Sequence, residues 1–262
     1  MNNIKRFMFF QAHPDDLINC AYLIHWLSTK SPNRNKNIIK IVSSTKGEFG
    51  LPGFKYDKFK GKFLAKIRTR ELINELKIHN ILPENIYFLD FIDGFVEFNT
   101  KLVNKIYQLL NNERPDVIIA PEPYYTWYFH KDHVNTGKAV LYSIKYKFLN
   151  GYCPKLYFYG TLAPNFYFPV YDNFELIKKL IECHKTQSWL LNNMKLLIKP
   201  MSLYFGLFSK FHKYVEPYRR VYFKEKNKIP YNSIMISLFC YKHQRWYNAQ
   251  YPKHILEELE LS

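Results

Sequence analysis

The chain has 262 residues, of which 47% are hydrophobic and 18% aromatic, with a formal net charge of +16 at pH 7. That length suits one large α/β domain, or a domain with a sizeable extension, and the apolar content supports a packed core. No apolar run reaches transmembrane length, and residues 1–6 lead straight into a strand. Cys20, Cys153, Cys183 and Cys240 are scattered without zinc-finger or redox spacing. Together these features predict a cytosolic chain with reduced thiols, no signal peptide and no spanning helix. The charge favours acidic partners such as anionic lipid head groups, phosphorylated substrates or nucleic acid, unless it only reflects lysines on solvated faces.

The apolar run at residues 4–11 predicts a buried strand, and residues 18–29 a helix with an apolar face of Cys20, Ala21, Leu23, Ile24 and Leu27. Between them stands Ala12-His13-Pro14-Asp15-Asp16, at the strand-to-helix edge where open α/β sheets bind ligands. Either Asp could instead simply cap the helix. A turn at 31–35 and a strand at 38–42 follow. The Gly- and Pro-containing loop at 45–60 is too long for a plain connection and predicts part of a substrate rim. Next come a helix at 63–79, a strand at 86–89, a helix at 101–111 and a strand at 117–120. The aromatic loop 124–129 then leads to a second cluster, His130-Lys131-Asp132-His133. A helix at 133–147, a strand at 155–159 and a helix at 173–191 complete the readable part. This order predicts a Rossmann-like α/β fold with a mostly parallel sheet and helices on both faces. Residues 1–191 would form the catalytic domain, and 192–262 a basic, aromatic-rich extension packed on it. Within that extension, the apolar residues from Leu197 to Phe211 lie beside Lys195, Lys199, Lys210 and Lys213. They suit a membrane surface or an ordinary packed lid or dimer surface.

Two acid/imidazole clusters at two strand ends can meet in space as a metal site with its own base. The motifs resemble those of the PIG-L/LmbE-like zinc-dependent de-N-acetylases. His13-Pro14-Asp15-Asp16 matches the opening motif and His130-Lys131-Asp132-His133 the later His-x-Asp-His. Thr45-Lys46-Gly47-Glu48, Arg68-Thr69-Arg70-Glu71, Asp93-Gly94, His184-Lys185-Thr186-Gln187 and Glu216-Pro217-Tyr218-Arg219 follow in the family's order. Lys46 stands where Asp is usual, Leu17 where Glu is usual, and Lys131 where Pro is usual.

The resemblance implies that His13, Asp16 and His133 bind Zn²⁺ or another divalent transition metal, an open site of three protein ligands and a water. Asp15, adjacent to the ligands, is the natural general base. By resemblance His130 stabilises the oxyanion as imidazolium, with Asp132 holding its proton, and Tyr128 hydrogen-bonds the carbonyl. Arg68 and Asp93 are candidates for sugar or head-group contacts, or else for a salt bridge to Glu71 and a turn with Gly94. The implied activity removes acetyl from an N-acetylglucosaminyl conjugate. The implied substrate is an N-acetylamino sugar; the charge adds an anionic lipid or membrane surface as a partner, for a protein that is cytoplasmic or peripheral at the membrane, with nucleic acid disfavoured and oligomerisation left open. The competing reading is a non-catalytic basic and aromatic protein binding nucleic acid or membrane, with a vestigial metal site.

Overall fold

The computed structural model describes residues 4–50, 56–126, 130–147 and 152–223. Strand β1 (Lys5–Gln11) is the central element. It pairs in parallel with β2 (Asn37–Ser43) on one side and β4 (Val117–Pro121) on the other. β3 (Ile86–Phe88) extends the sheet beyond β2, and β5 (Lys155–Tyr159) beyond β4, both in parallel. The strand order reverses at β1, so the crevice that α/β sheets use for ligands opens at the carboxyl ends of β1 and β4.

Strand alternation supplies both cores. Phe7 and Phe9 point to one face, where they meet Leu17, Ile24, Leu72 and Leu76. Met8 and Phe10 point to the other, against Val103, Ile106 and Val140. Helix α1 (Ala21–His25) and α2 (Lys62–Ile78) therefore cover the first face, and α3 (Thr100–Glu113) and α4 (Lys131–Tyr142) the second. Phe9 and Phe10 are fully buried, each contributing roughly 2–3 kcal/mol of transfer free energy.

Three expectations need correction. The first helix is not a uniform α-helix: it starts as a 3-10 turn, Asp16–Cys20, and ends in a π turn, Trp26–Lys30. Its start is tight because the Asp16 side chain folds back on the strand end. The helix expected over 173–191 is broken. It consists of α5 (Glu175–Cys183), a 3-10 turn Lys185–Gln187 and α6 (Ser188–Gly206). The break falls at His184, whose Nε2 is held 2.7 Å from the buried Glu75 carboxylate of α2. Two strands were not expected. β7 (Val215–Val221) runs antiparallel to β5, and β6 (Phe166–Pro169) pairs antiparallel with β7. Residues of the expected extension thus belong to the sheet itself. Its part from 224 onward lies outside the described residues.

Candidate metal centre

β1 and β4 end side by side and place the two clusters together. Asp16 Oδ2 accepts from the backbone N–H groups of Ala12 and His13, both at 2.9 Å. This fixes the other oxygen, Oδ1, 2.9 Å from His133 Nε2 at the first turn of α4. Burial would raise the Asp16 pKa, but the His133 and His13 imidazoles and the backbone donor hold it well below the usual carboxylate range.

His13 Nε2 lies 3.0 Å from Asp93 Oδ1 and 3.2 Å from Asp132 Oδ2. Burial opposes charge on His13, yet Asp93 and Asp132 raise its pKa well above the ordinary value. When the ring is neutral, the nitrogen between the two carboxylates keeps the proton and the lone pair falls on Nδ1. That is the arrangement by which carboxylates orient a metal-binding imidazole. One donor atom from each of His13, Asp16 and His133 lies within 4.8 Å of the others. Two buried imidazoles and a carboxylate that has lost its proton fit a divalent transition metal. His13, Asp93, His130 and Asp132 form a second convergent set, but its carboxylates have other work. Asp93 Oδ2 accepts from Phe49 and Gly50 N–H, and Asp132 from Gly94 and Val96 N–H.

Asp15, buried beside this cluster, makes no capping bond to the helix. Its Oδ1 pairs with Arg68 Nη2. Arg68 Nη1 donates to Gly47 O at 2.9 Å, which pins the guanidinium. Gly47 has φ +65°, and a Cβ there would come 2.1 Å from the Arg68 guanidinium. Only glycine fits both constraints.

A protein-family model described as "PIG-L: GlcNAc-PI de-N-acetylase" matches residues 8–144, which hold every member of both clusters. The chain belongs to the PIG-L family. De-N-acetylation is amide hydrolysis, so this PIG-L protein is an amide hydrolase. It is 23% identical over 237 residues to the diacetylchitobiose deacetylase of Thermococcus kodakarensis, covering 84% of each chain. Its fold is similar to that of N,N'-diacetylchitobiose deacetylase from Pyrococcus horikoshii, with a TM-score of 0.74, 21% identity and 88% of each chain covered. It is also similar to teicoplanin deacetylase Orf2 in a zinc-inhibited form: TM-score 0.61, 12% identity, 83% of this chain and 99% of the other.

Several PIG-L residues differ from their expected roles. Arg68 is 2% exposed and bonds Asp15 and Gly47. It does not pair with Glu71, which accepts from Thr186. Asp93 serves His13 and the loop amides. Asp132 does not hold the His130 proton: His130 Nδ1 accepts from the Asp132 backbone N–H at 3.2 Å. An Nδ1 that accepts in this way places the ring proton on Nε2. Burial, then the His13 charge, push the His130 pKa down to about 4. Tyr128 lies outside the described residues, as do 51–55 of the expected rim and 127–129 of the aromatic loop. Leu17 is fully buried in the core, and Lys131 is exposed on the first turn of α4.

Sequence reasoning assigned no role to Glu48 or Glu122. Glu48 Oε1 accepts from Asp93 N–H at 2.9 Å, while the buried Oε2 has no hydrogen-bond partner among the described residues. Burial, and then the like charge of Asp93, push its pKa up to about 7. Its place in the loop that follows β2, one residue after Gly47, was the available signal. Glu122, at the end of β4, takes a two-pronged bond from Arg219 of β7 at 2.6 and 2.7 Å. Arg219 also stacks over Tyr125, so β7 braces the aromatic loop.

Proposed function

We propose that the chain hydrolyses the N-acetyl group of an N-acetylglucosaminyl conjugate, releasing acetate and a free 2-amino sugar. His13, Asp16 and His133 would hold the divalent cation, zinc being the first choice by donor set. The observation that carries this reading is the separation of two adjacent carboxylates: Asp16 lies between the two imidazoles, 2.9 Å from His133 Nε2 and 3.9 Å from His13 Nδ1, while Asp15 is held on Arg68.

When bound, the cation supplies a more acidic water and polarises the acetyl carbonyl. Asp15 accepts a proton from the attacking water as its oxygen bonds to the carbonyl carbon. It returns that proton to nitrogen as the C–N bond breaks. Arg68 keeps Asp15 aimed into the site. His130 offers its Nε2–H to the oxygen on which charge develops, as a neutral donor and not as an imidazolium. Asp93 and Asp132 fix the tautomer of His13.

Relatives named for diacetylchitobiose support a small N-acetyl saccharide as first substrate. The reading is tested by following amine and acetate release from N,N'-diacetylchitobiose and from N-acetylglucosaminyl phosphatidylinositol. Metal-stripped protein is reloaded with zinc, cobalt, nickel or manganese. Zinc is titrated from stoichiometric to excess, because a teicoplanin deacetylase has a zinc-inhibited form. Release from neither substrate with any metal would remove the proposal.

A further inference from the structure

α6 is apolar on two opposite faces. Leu191, Ser202 and Phe205 are buried on the inner one, where α6 packs along β7. Trp189, Leu196, Pro200 and Leu203 recur at helical spacing on the outer one, Leu207 continues the row just past the helix end, and all are exposed. Leu196 is 72% exposed, Leu207 76%, and Phe211 just beyond the helix 85%. An amphipathic surface helix has a polar outer face, and a contiguous exposed apolar strip marks an interaction surface.

The charge beside the strip selects the partner. Between Glu182 and Glu216 the chain carries Lys185, Lys195, Lys199, Lys210 and Lys213 and no acidic residue. Lys195 and Lys199 border a shallow groove floored by Leu196, Leu203 and Tyr214. Lys199 and Lys213 both lie within 6 Å of the Tyr214 ring centre. A second copy of the chain would bring these lysines against each other. The segment beyond residue 223 carries six Lys/Arg against four Glu, so it offers no net negative partner. Among the described residues no helix is long and apolar enough to cross a membrane. Lysines flanking an apolar face instead suit a helix lying in the interface.

We propose that the outer face of α6, continued to Phe211, docks on an anionic phospholipid bilayer. The leucines and Phe211 would enter the acyl boundary and the lysines would sit among the head groups. Vesicle binding is read without turnover, so its outcome is independent of the hydrolase reading.

The test is sedimentation of the full chain with vesicles of phosphatidylcholine alone and of equal phosphatidylcholine and phosphatidylglycerol. The mixed vesicles are expected to carry the protein down and the neutral ones far less. Each lysine near the surface is worth about fivefold in affinity. Lys195→Glu/Lys199→Glu is therefore expected to weaken binding at least roughly tenfold, and Leu203→Glu/Leu207→Glu similarly. Both variants are expected to keep the wild-type melting curve and elution volume. Failure of the wild type to bind mixed vesicles would overturn the proposal. So would wild-type binding by both variants, or a wild-type dimer that Leu203→Glu/Leu207→Glu dissociates.

Discussion

The crevice at the ends of β1 and β4 and the outer face of α6 place residue types against their ordinary preferences, in opposite directions. The crevice buries His13, Asp15, Asp16, Arg68, Asp93 and Asp132. Each is held by a named opposite charge or backbone donor, because an unpaired buried charge costs several kcal/mol. α6 leaves Leu196 largely exposed among the described residues, where the cost is small and the gain waits for a partner. Charge inside is kept by geometry and tolerates few changes. Apolar surface outside is kept for contact and tolerates many.

Breaking the inner arrangement should have the largest effect on stability. Arg68→Leu would leave Asp15 without its partner and leave Asp93 with His13 as its remaining cationic neighbour, at an expected cost of about 3–5 kcal/mol in denaturant unfolding. Arg68→Lys keeps the charge but loses the fork that reaches both Asp15 and Gly47. It should recover much of the stability while kcat stays low and KM changes little. Unchanged unfolding in Arg68→Leu would mean that the crevice is not held by pairing.

Glu48 gives a smaller, pH-dependent effect. Its folded pKa of about 7 stands above the usual 4.5, so the native state binds its proton more tightly than the unfolded chain. Its contribution is fully present below about pH 4.5 and is lost as pH rises through 7. Glu48→Gln should therefore gain stability over wild type as pH rises from about 5 to 8, by at most roughly 3 kcal/mol. A difference constant with pH would show that burial and the charge of Asp93 do not raise the pKa of this group.

The smallest effect belongs to α6. Leu207→Glu should change unfolding free energy by less than about 0.5 kcal/mol, as surface substitutions do. A loss of several kcal/mol would show that the outer face is packed on something, and the contrast between the two regions would collapse.

How much of this was legible in the sequence follows the range of the interactions. The parallel half of the sheet reads directly, because β1, β2, β4 and β5 are local apolar runs between turn signals. β7 does not: Val-Glu-Pro-Tyr-Arg-Arg-Val alternates poorly, contains Pro217, and buries Glu216 and Arg219. Those two are satisfied by Tyr22 and Leu23 N–H and by Glu122, none of them near in sequence. The break at His184 is likewise imposed by Glu75 from another helix. In the candidate site, the meeting of the two acid/imidazole clusters was legible because each comes after a strand, while the choice of His13, Asp16 and His133 as ligands came from the family resemblance alone. The role of Arg68 was not legible, since its nearest acid in sequence, Glu71, is not its partner. The division between Asp132 serving His13 and serving His130 depends on where backbone N–H groups point, which no spacing reveals.

The separation of Asp15 from Asp16 is tested most directly by measuring bound metal and turnover together in Asp15→Asn and His133→Ala, each checked for folding. Asp15→Asn is expected to keep close to wild-type metal content while turnover falls by roughly 10²–10⁴-fold. His133→Ala is expected to lose both. Folded Asp15→Asn protein that had lost its metal, or that turned over at the wild-type rate, would contradict the assignment of Asp15 as base and Asp16 as ligand.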